Sequence, residues 1–309
     1  STISPSATSP AKLVAADGSL VETLTVANEG TYTINPETGV VTFKPLPTFK
    51  GTASGVDVTL TAPVGQDKDG QPVTATATTK YTPTVTAVEP TAKPTDSAGV
   101  QGETQKGTPT FTAGNAEVPI KENSHKLLDK EGNEVPAGQT TPAYAEDGVT
   151  PVGTYSIDPA TGEVTFTPTD KSYTGKVTPA KVQAEDKNGT KVSTTYPPSI
   201  IPAQPTAEPV KTVDVQGATQ TGKPVFQGGT AMVNGEEKTV EIDDTVPAKL
   251  VDPKTGDPVD SVTIEGEGTY TVAPDGTVTF TPEKNFTGKG TGVTVQREDK
   301  NGTPVTAKY

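Results

Sequence analysis

The sequence predicts an all-β chain of tandem antiparallel β-sandwich repeats, joined by Pro-rich connectors into an elongated whole. Three observations carry that expectation. Blocks of residues recur in the same order three times, and such self-similarity takes precedence over local structure. Within each block, apolar residues alternate with Thr at period two. Between blocks and within them, 30 Pro and 31 Gly among 309 residues punctuate the pattern.

The recurrence is read motif by motif. Gly30-Thr31-Tyr32-Thr33 returns as Gly153-Thr154-Tyr155-Ser156 and Gly268-Thr269-Tyr270-Thr271. Val41-Thr42-Phe43 returns as Val164-Thr165-Phe166 and Val278-Thr279-Phe280, and Phe49 as Tyr173 and Phe286. Asp67-Lys68-Asp69-Gly70 becomes Asp186-Lys187-Asn188-Gly189 and Asp299-Lys300-Asn301-Gly302. Each copy closes on a tyrosine: Tyr81, Tyr196 and Tyr309. Phe111 and Phe226, 115 residues apart, mark an earlier segment that copy one lacks. The boundaries follow: 1–81, an N-terminally incomplete unit, then 82–196 and 197–309.

Of the 8 Tyr and 7 Phe, only Tyr144 falls outside this register. An aromatic side chain buries about 150–250 Å², so keeping the few present in register is what a thin core requires. Val, Leu, Ile and Phe make up just under a fifth of the chain, a fraction that borders on disorder. The register of the aromatics decides for order.

The elements can be justified in turn. Tyr270 and Val272, then Val278 and Phe280, alternate with threonines, which places them on one face of each strand. Thr suits the outer face, being β-branched and polar. Asn35-Pro36-Glu37-Thr38-Gly39 and Asp158-Pro159-Ala160-Thr161-Gly162 supply preset and positive φ for turns. Asn188-Gly189 and Asn301-Gly302 are hairpin signals. The stretches 82–102 and 197–217 hold the proline clusters, which stiffen a connector.

Charge and composition exclude several functions. The net charge is −13, and no Lys/Arg cluster offers the phosphate neutralisation that nucleic-acid binding needs. Without Cys there is no disulfide framework, thiol nucleophile or Cys-based metal site. No stretch is long and apolar enough for a transmembrane helix. These residues contain no signal peptide and no sorting sequence, as expected of an internal fragment.

The run Gly-Thr-Tyr-Thr, Thr-Gly-x-Val-Thr-Phe-x-Pro, Phe-x-Gly and Asp-Lys-Asn-Gly resembles the CshA-type fibril repeats of streptococcal and related Gram-positive cell-wall-anchored surface adhesins. Val100 to Gly107 and Val215 to Gly222 are similar to the opening of such a repeat. The resemblance implies a secreted, wall-anchored fibrillar protein concerned with cell adhesion and virulence, whose repeats carry a distal adhesive region outward. It implies no catalytic residues. Anchoring to peptidoglycan and recognition of host glycan or protein would belong to regions outside these residues.

Candidate chemistry is sparse. His125 is the only histidine, so no His-based site can repeat, and it reads as a solvated loop residue. Asp67-Lys68-Asp69-Gly70 has part of a calcium-loop spacing, but its equivalents carry Asn and no bidentate Glu follows; it reads as a hairpin turn. Gln105 and Gln220 could enter Thr–Gln cross-links, and Asn188 and Asn301 Lys–Asn ones. The Gln pair fits strand-end hydrogen bonding better, and the Asn pair reads as exposed hairpin tips. Glu236-Glu237-Lys238 and Glu241, Asp243 and Asp244 read as solvated positions that protect edges.

The expectation is therefore a monomeric structural spacer, not an enzyme, with no catalytic, cofactor-binding or metal residues and no cofactor. Its partners are the neighbouring repeats. Two other readings stand beside it. The repeats could bind a host glycan or protein, for which Tyr144 is the aromatic outside the core set, or they could make homophilic contacts between fibrils.

Overall fold

The computed structural model describes residues 2–309, and among these the regular structure is strand throughout, without a helix. The chain forms two compact units. One comprises 1–91 with the loops 112–120 and 185–190; the other comprises 92–111, 121–184 and 191–309.

In the first unit, a four-stranded sheet runs in the order Leu20–Val21, Lys12–Val14, Val56–Gln66, Pro72–Tyr81. A three-stranded sheet runs Thr23–Val26, Gly30–Ile34, Val41–Pro45. The two share a core in which Leu13 and Tyr32 are fully buried beside Ala11, Ile34, Ala53 and Val56. The rings of Tyr32 and Phe43 lie 4.5 Å apart, and Tyr81 meets Tyr32 edge-on at 6.2 Å. Residues 5–9 are tied in: Ser6 and Ser9 exchange backbone hydrogen bonds of 3.0 and 3.1 Å, and Ser9 is buried.

The second unit contains two sandwiches. In copy two the order Gln105–Gly107, Val164–Pro168, Pro151–Ile157, Thr141–Tyr144 opposes Lys126–Leu128, Ala180–Glu185, Lys191–Tyr196. In copy three the order Gln220–Gly222, Val278–Pro282, Gly268–Val272, Ser261–Ile264 opposes Pro258–Val259, Lys249–Val251, Thr294–Glu298, Pro304–Lys308. The period-two pattern is realised side chain by side chain. Tyr270 and Phe280 point inward and are buried, while the intervening threonines face out. Their rings stack at 4.5 Å, with Tyr309 edge-on at 6.1 Å, which repeats the aromatic triad of copy one.

The copies differ at one sheet edge. Gln105 pairs opposite Phe166, and Gln220 opposite Phe280, each on a fourth strand. In copy one the Val41–Pro45 strand has no such neighbour among the described residues. Phe166 and Phe280 are 0% and 6% exposed, whereas Phe43 is only half-buried. The missing strand is the physical cause, because the fourth strand covers the aromatic it pairs beside.

The proline stretches do more than connect. Thr206–Glu208 pairs antiparallel with Val225–Gln227, placing Ala207 opposite Phe226. Ser97–Val100 pairs with Pro198–Ile201, and this pair is parallel, with Ser97 opposite Pro198 and Val100 opposite Ile201. Proline lacks a donor and is tolerated at a strand's first residue, which is where Pro198 stands. Residues expected to be spacer are thereby part of the folded body.

Candidate functional site

The residues singled out by sequence occupy modest positions. His125 is not a solvated loop residue: it is half-buried, its Nδ1 lies 3.0 Å from the Pro159 carbonyl, and its ring meets Phe111 at 5.4 Å. Packing between a strand and the Pro159 turn, which sequence distance hides, explains the difference. Tyr144 is also half-buried, with the Lys130 ammonium 4.9 Å over its ring. That face is engaged by a cation–π contact rather than open to a ligand.

The Asp-Lys-x-Gly segments are turns closed by their own carboxylates. Asp67 Oδ1 accepts from the amides of Asp69 and Gln71, each at 2.8 Å. Asp186 and Asp299 do the same for Asn188 and Thr190, and for Asn301 and Thr303. The Oδ2 atoms of Asp186 and Asp299 are buried without a hydrogen-bond partner. Among the described residues, no three Asp, Glu or His side chains gather closely enough to hold a metal ion.

The tips of these turns are not free, as the sequence suggested. The Asn301 Nδ2 donates to the Gln101 carbonyl at 2.8 Å, and the Asn188 Nδ2 donates to the Pro47 carbonyl. Both asparagines are half-buried. A hairpin tip is exposed within its own domain, so the sequence of one domain does not reveal what the tip touches beyond it.

Around Asn301 the joint of copies two and three is built in detail. Gln101 is 1% exposed. Its Nε2 donates to the Ser172 carbonyl at 2.8 Å, and its Oε1 accepts from the Ala203 amide at 3.2 Å and from Gln204 Nε2 at 2.8 Å. Its backbone amide donates to the Ile201 carbonyl at 2.9 Å. One side chain thus ties copy two to the connector, and one carbonyl ties both to copy three. Buried polar groups need such partners, since each one left unpaired costs about 1–3 kcal/mol.

An apolar cluster lies beside this network. Val100 and Ala203 pack with Val233 and Val240 of the copy-three hairpin Gly229–Val233 and Glu236–Val240, with Ala98, Ile201 and Ala231 half-buried at its margin. Glycine lets the hairpin approach: a Cβ on Gly229 would sit 2.4 Å from the backbone of Ala203 and Gln204. Gly114, 115 residues earlier, is equally close to the Glu89 backbone, where a Cβ would lie 2.4 Å from the carbonyl oxygen. The recurrence of Gly at 114 and 229 and of Asn at 188 and 301 was visible in the sequence and is the signal that could have disclosed the joint. On the rim, Lys238 and Glu103 approach only to 3.9 Å with both partly exposed, a pairing worth little.

Comparison with known proteins accords with a chain built of copies. No curated protein matches it in sequence. Solved structures that align along it include mouse cadherin-23 EC22-24, at 12% identity over 97% of this chain and 83% of that one, with a TM-score of 0.32. The titin I9-I11 tandem aligns at 10% identity over 99% and 88%, with a TM-score of 0.32. A tetra-tandem repeat from the extending region of a large adhesion protein aligns at 18% over 97% and 66%, with a TM-score of 0.21. At these scores the likeness is one of general appearance alone. The family description "surface adhesin CshA repetitive domain" matches three times, over residues 1–85, 87–200 and 202–309. Matched end to end by one repeat, the chain belongs to the surface adhesin CshA repetitive domain family.

Proposed function

We propose that the chain is a structural spacer of a bacterial surface adhesin, projecting a distal adhesive region from a cell wall to which the protein is anchored elsewhere. The three units are those set out from the sequence, 1–81, 82–196 and 197–309. The observation that carries the reading is the joint around Gln101, where elements of both copies and the connector are hydrogen-bonded into one buried network. At this joint the buried polar side chain of Gln101 is satisfied by copy two and the connector together, and its carbonyl by copy three. The protein acts as a monomer, with host glycan or protein recognised by regions beyond these residues.

The test exchanges copy two in the full surface protein for an unrelated β-sandwich of the same length. A spacer retains adhesion after the exchange and loses it when copy two is deleted outright. Loss of adhesion after the exchange would overturn the reading.

One observation favours a second reading, in which the repeats bind a ligand themselves. A shallow concavity beside the connector is lined by Pro179, Pro197, Pro198 and Pro202, with Lys176 and Glu146 at its margin. Direct binding of the three-copy chain to host-matrix proteins or glycans, abolished by Lys176→Glu, would support that alternative.

A further inference from the structure

Three Asn-Gly pairs stand at hairpin tips: Asn188-Gly189, Asn234-Gly235 and Asn301-Gly302. Glycine has no Cβ to shield its amide nitrogen, so in such a pair that nitrogen can attack the preceding carboxamide and expel ammonia. The surroundings of the three differ. Asn234 is exposed at the tip between Val233 and Glu236, with φ at +50°. Asn301 is half-buried in the joint of copies two and three. Its Nδ2 donates to the Gln101 carbonyl at 2.8 Å, and a Cβ on Gly102 would lie 2.2 Å from its Oδ1. The nucleophile is engaged as well, since the Gly302 amide donates to the Asp299 carbonyl at 2.9 Å.

The turn tolerates an acid at this position; the joint does not. Copy one carries Asp69 where the other copies carry Asn. Asp67 closes that turn through the Asp69 and Gln71 amides at 2.8 Å, as Asp299 closes its own through Asn301 and Thr303 at 2.9 Å. An acid in place of Asn301 therefore leaves the turn intact. It removes the donor to the Gln101 carbonyl and sets a carboxylate against that oxygen. Glu103 and Glu241 already line the concavity there, with Lys300 to offset one of them, so the new charge also meets like charge.

We propose that Asn301 is a deamidation site gated by the joint, so that an opening held long enough becomes permanent. In the step, the Gly302 nitrogen bonds to Asn301 Cγ, the Cγ–Nδ2 bond breaks, and ammonia leaves with the Gly302 amide proton. Solvent water then opens the succinimide at either carbonyl, giving Asp or its β-linked isomer. While the joint is closed, the carboxamide cannot turn toward Gly302 without giving up its bond to Gln101. Once the joint opens it turns freely, and after conversion no donor is left to close it again. Asn188 is held in the same manner: its Nδ2 donates to the Pro47 carbonyl, and the Gly189 amide to the Asp186 carbonyl at 2.9 Å.

The experiment ages the chain at mildly alkaline pH and follows each Asn-Gly pair by peptide mass spectrometry, with Asn234 as internal reference. Asn301 is expected to convert about tenfold or more slowly than Asn234, because it reacts only from the opened joint. Ala203→Asp breaks the joint at its apolar centre, where Ala203 is 1% exposed beside Val233 and Val240. It should raise the Asn301 rate by about tenfold and leave Asn234 unchanged, with hydrogen exchange of Tyr270–Phe280 showing that the copy-three core still stands. Gln101→Ala, which keeps the accepting carbonyl, should act in the same direction and less. Asn301→Asp, the product made directly, should speed hydrogen exchange at 100–103 while leaving Tyr270–Phe280 unaltered. Equal rates for Asn301 and Asn234 in the unaltered chain would overturn the proposal, as would an Asn301 rate indifferent to both joint variants. Unaltered exchange at 100–103 in Asn301→Asp would overturn the claim that conversion keeps the joint open.

Discussion

The Asn301 side chain donates a 2.8 Å hydrogen bond to the carbonyl of Gln101, 200 residues earlier in the chain. It joins the tip of one copy's last hairpin to the first turn of the copy before it. Neither residue belongs to an aromatic core, yet together they mark where two folded bodies become one.

Replacing Asn301 by Ala should cost about 1 kcal/mol, the usual worth of one such bond. Gln101→Ala should cost about twice that, because the Ser172 carbonyl and the Ala203 amide both lose their side-chain partner, while the backbone carbonyl that accepts from Asn301 remains. A chain of several copies need not unfold in one step, so local exchange at 100–103 and 299–302 is the measure. Both segments should exchange faster in either variant, with the Tyr270–Phe280 hairpin unaffected.

The cores should answer unequally to the same substitution. Phe280→Ala is expected to cost about 3–5 kcal/mol, as for a buried aromatic. Phe43→Ala should cost clearly less, because its sheet edge lacks the covering strand. Denaturant titration of single copies checks the difference, and a loss of only a few tenths for Phe280→Ala would remove that ring from the core.

The same edge makes copy one the least protected of the three. Amides of Val41–Pro45 should exchange faster than those of Val278–Pro282 in dilute protein. Equal protection would show that a fourth strand is not needed to hold this edge.

Alkali should unfold the chain through its tyrosines. Burial raises the ionisation of Tyr155, with Tyr196 adding to it, and burial likewise raises Tyr196 and Tyr270. In the unfolded chain each ionises near pH ~10. Above that pH the unfolded state has released protons that the folded state retains, so stability falls as pH rises further. Tyrosinate absorbance should therefore lag in the native protein and appear together with loss of structure.

Calcium should leave the melting temperature unchanged relative to a chelator. The carboxylates with calcium-like spacing are engaged in closing their own turns. A steep rise in melting temperature with calcium would contradict this.

The fold was legible where chemistry repeats at short range. Tyr270, Phe280 and Tyr309 declared an inner face by alternation with threonine, and their equivalents followed. Gln101 and the Ser97–Val100 pairing were not legible. Four residues of mixed character show no period, and their partner lies 101 positions away. Asn188 and Asn301 look like free tips in the sequence because a turn sequence encodes its own geometry and nothing of the body above it. Their recurrence, with that of Gly114 and Gly229, was the available sign.

The parallel pair of Ser97–Val100 and Pro198–Ile201 also determines how copy two would bear a load. One strand lies near the start of the copy and the other just past its closing Tyr196, and both run the same way. A pull on the two ends of the copy drives them past each other along their length. The hydrogen bonds between them are then loaded in shear and must give way together, rather than opening one at a time as a zipper does. Tension along the chain would meet resistance at this short pair before it reached the core behind.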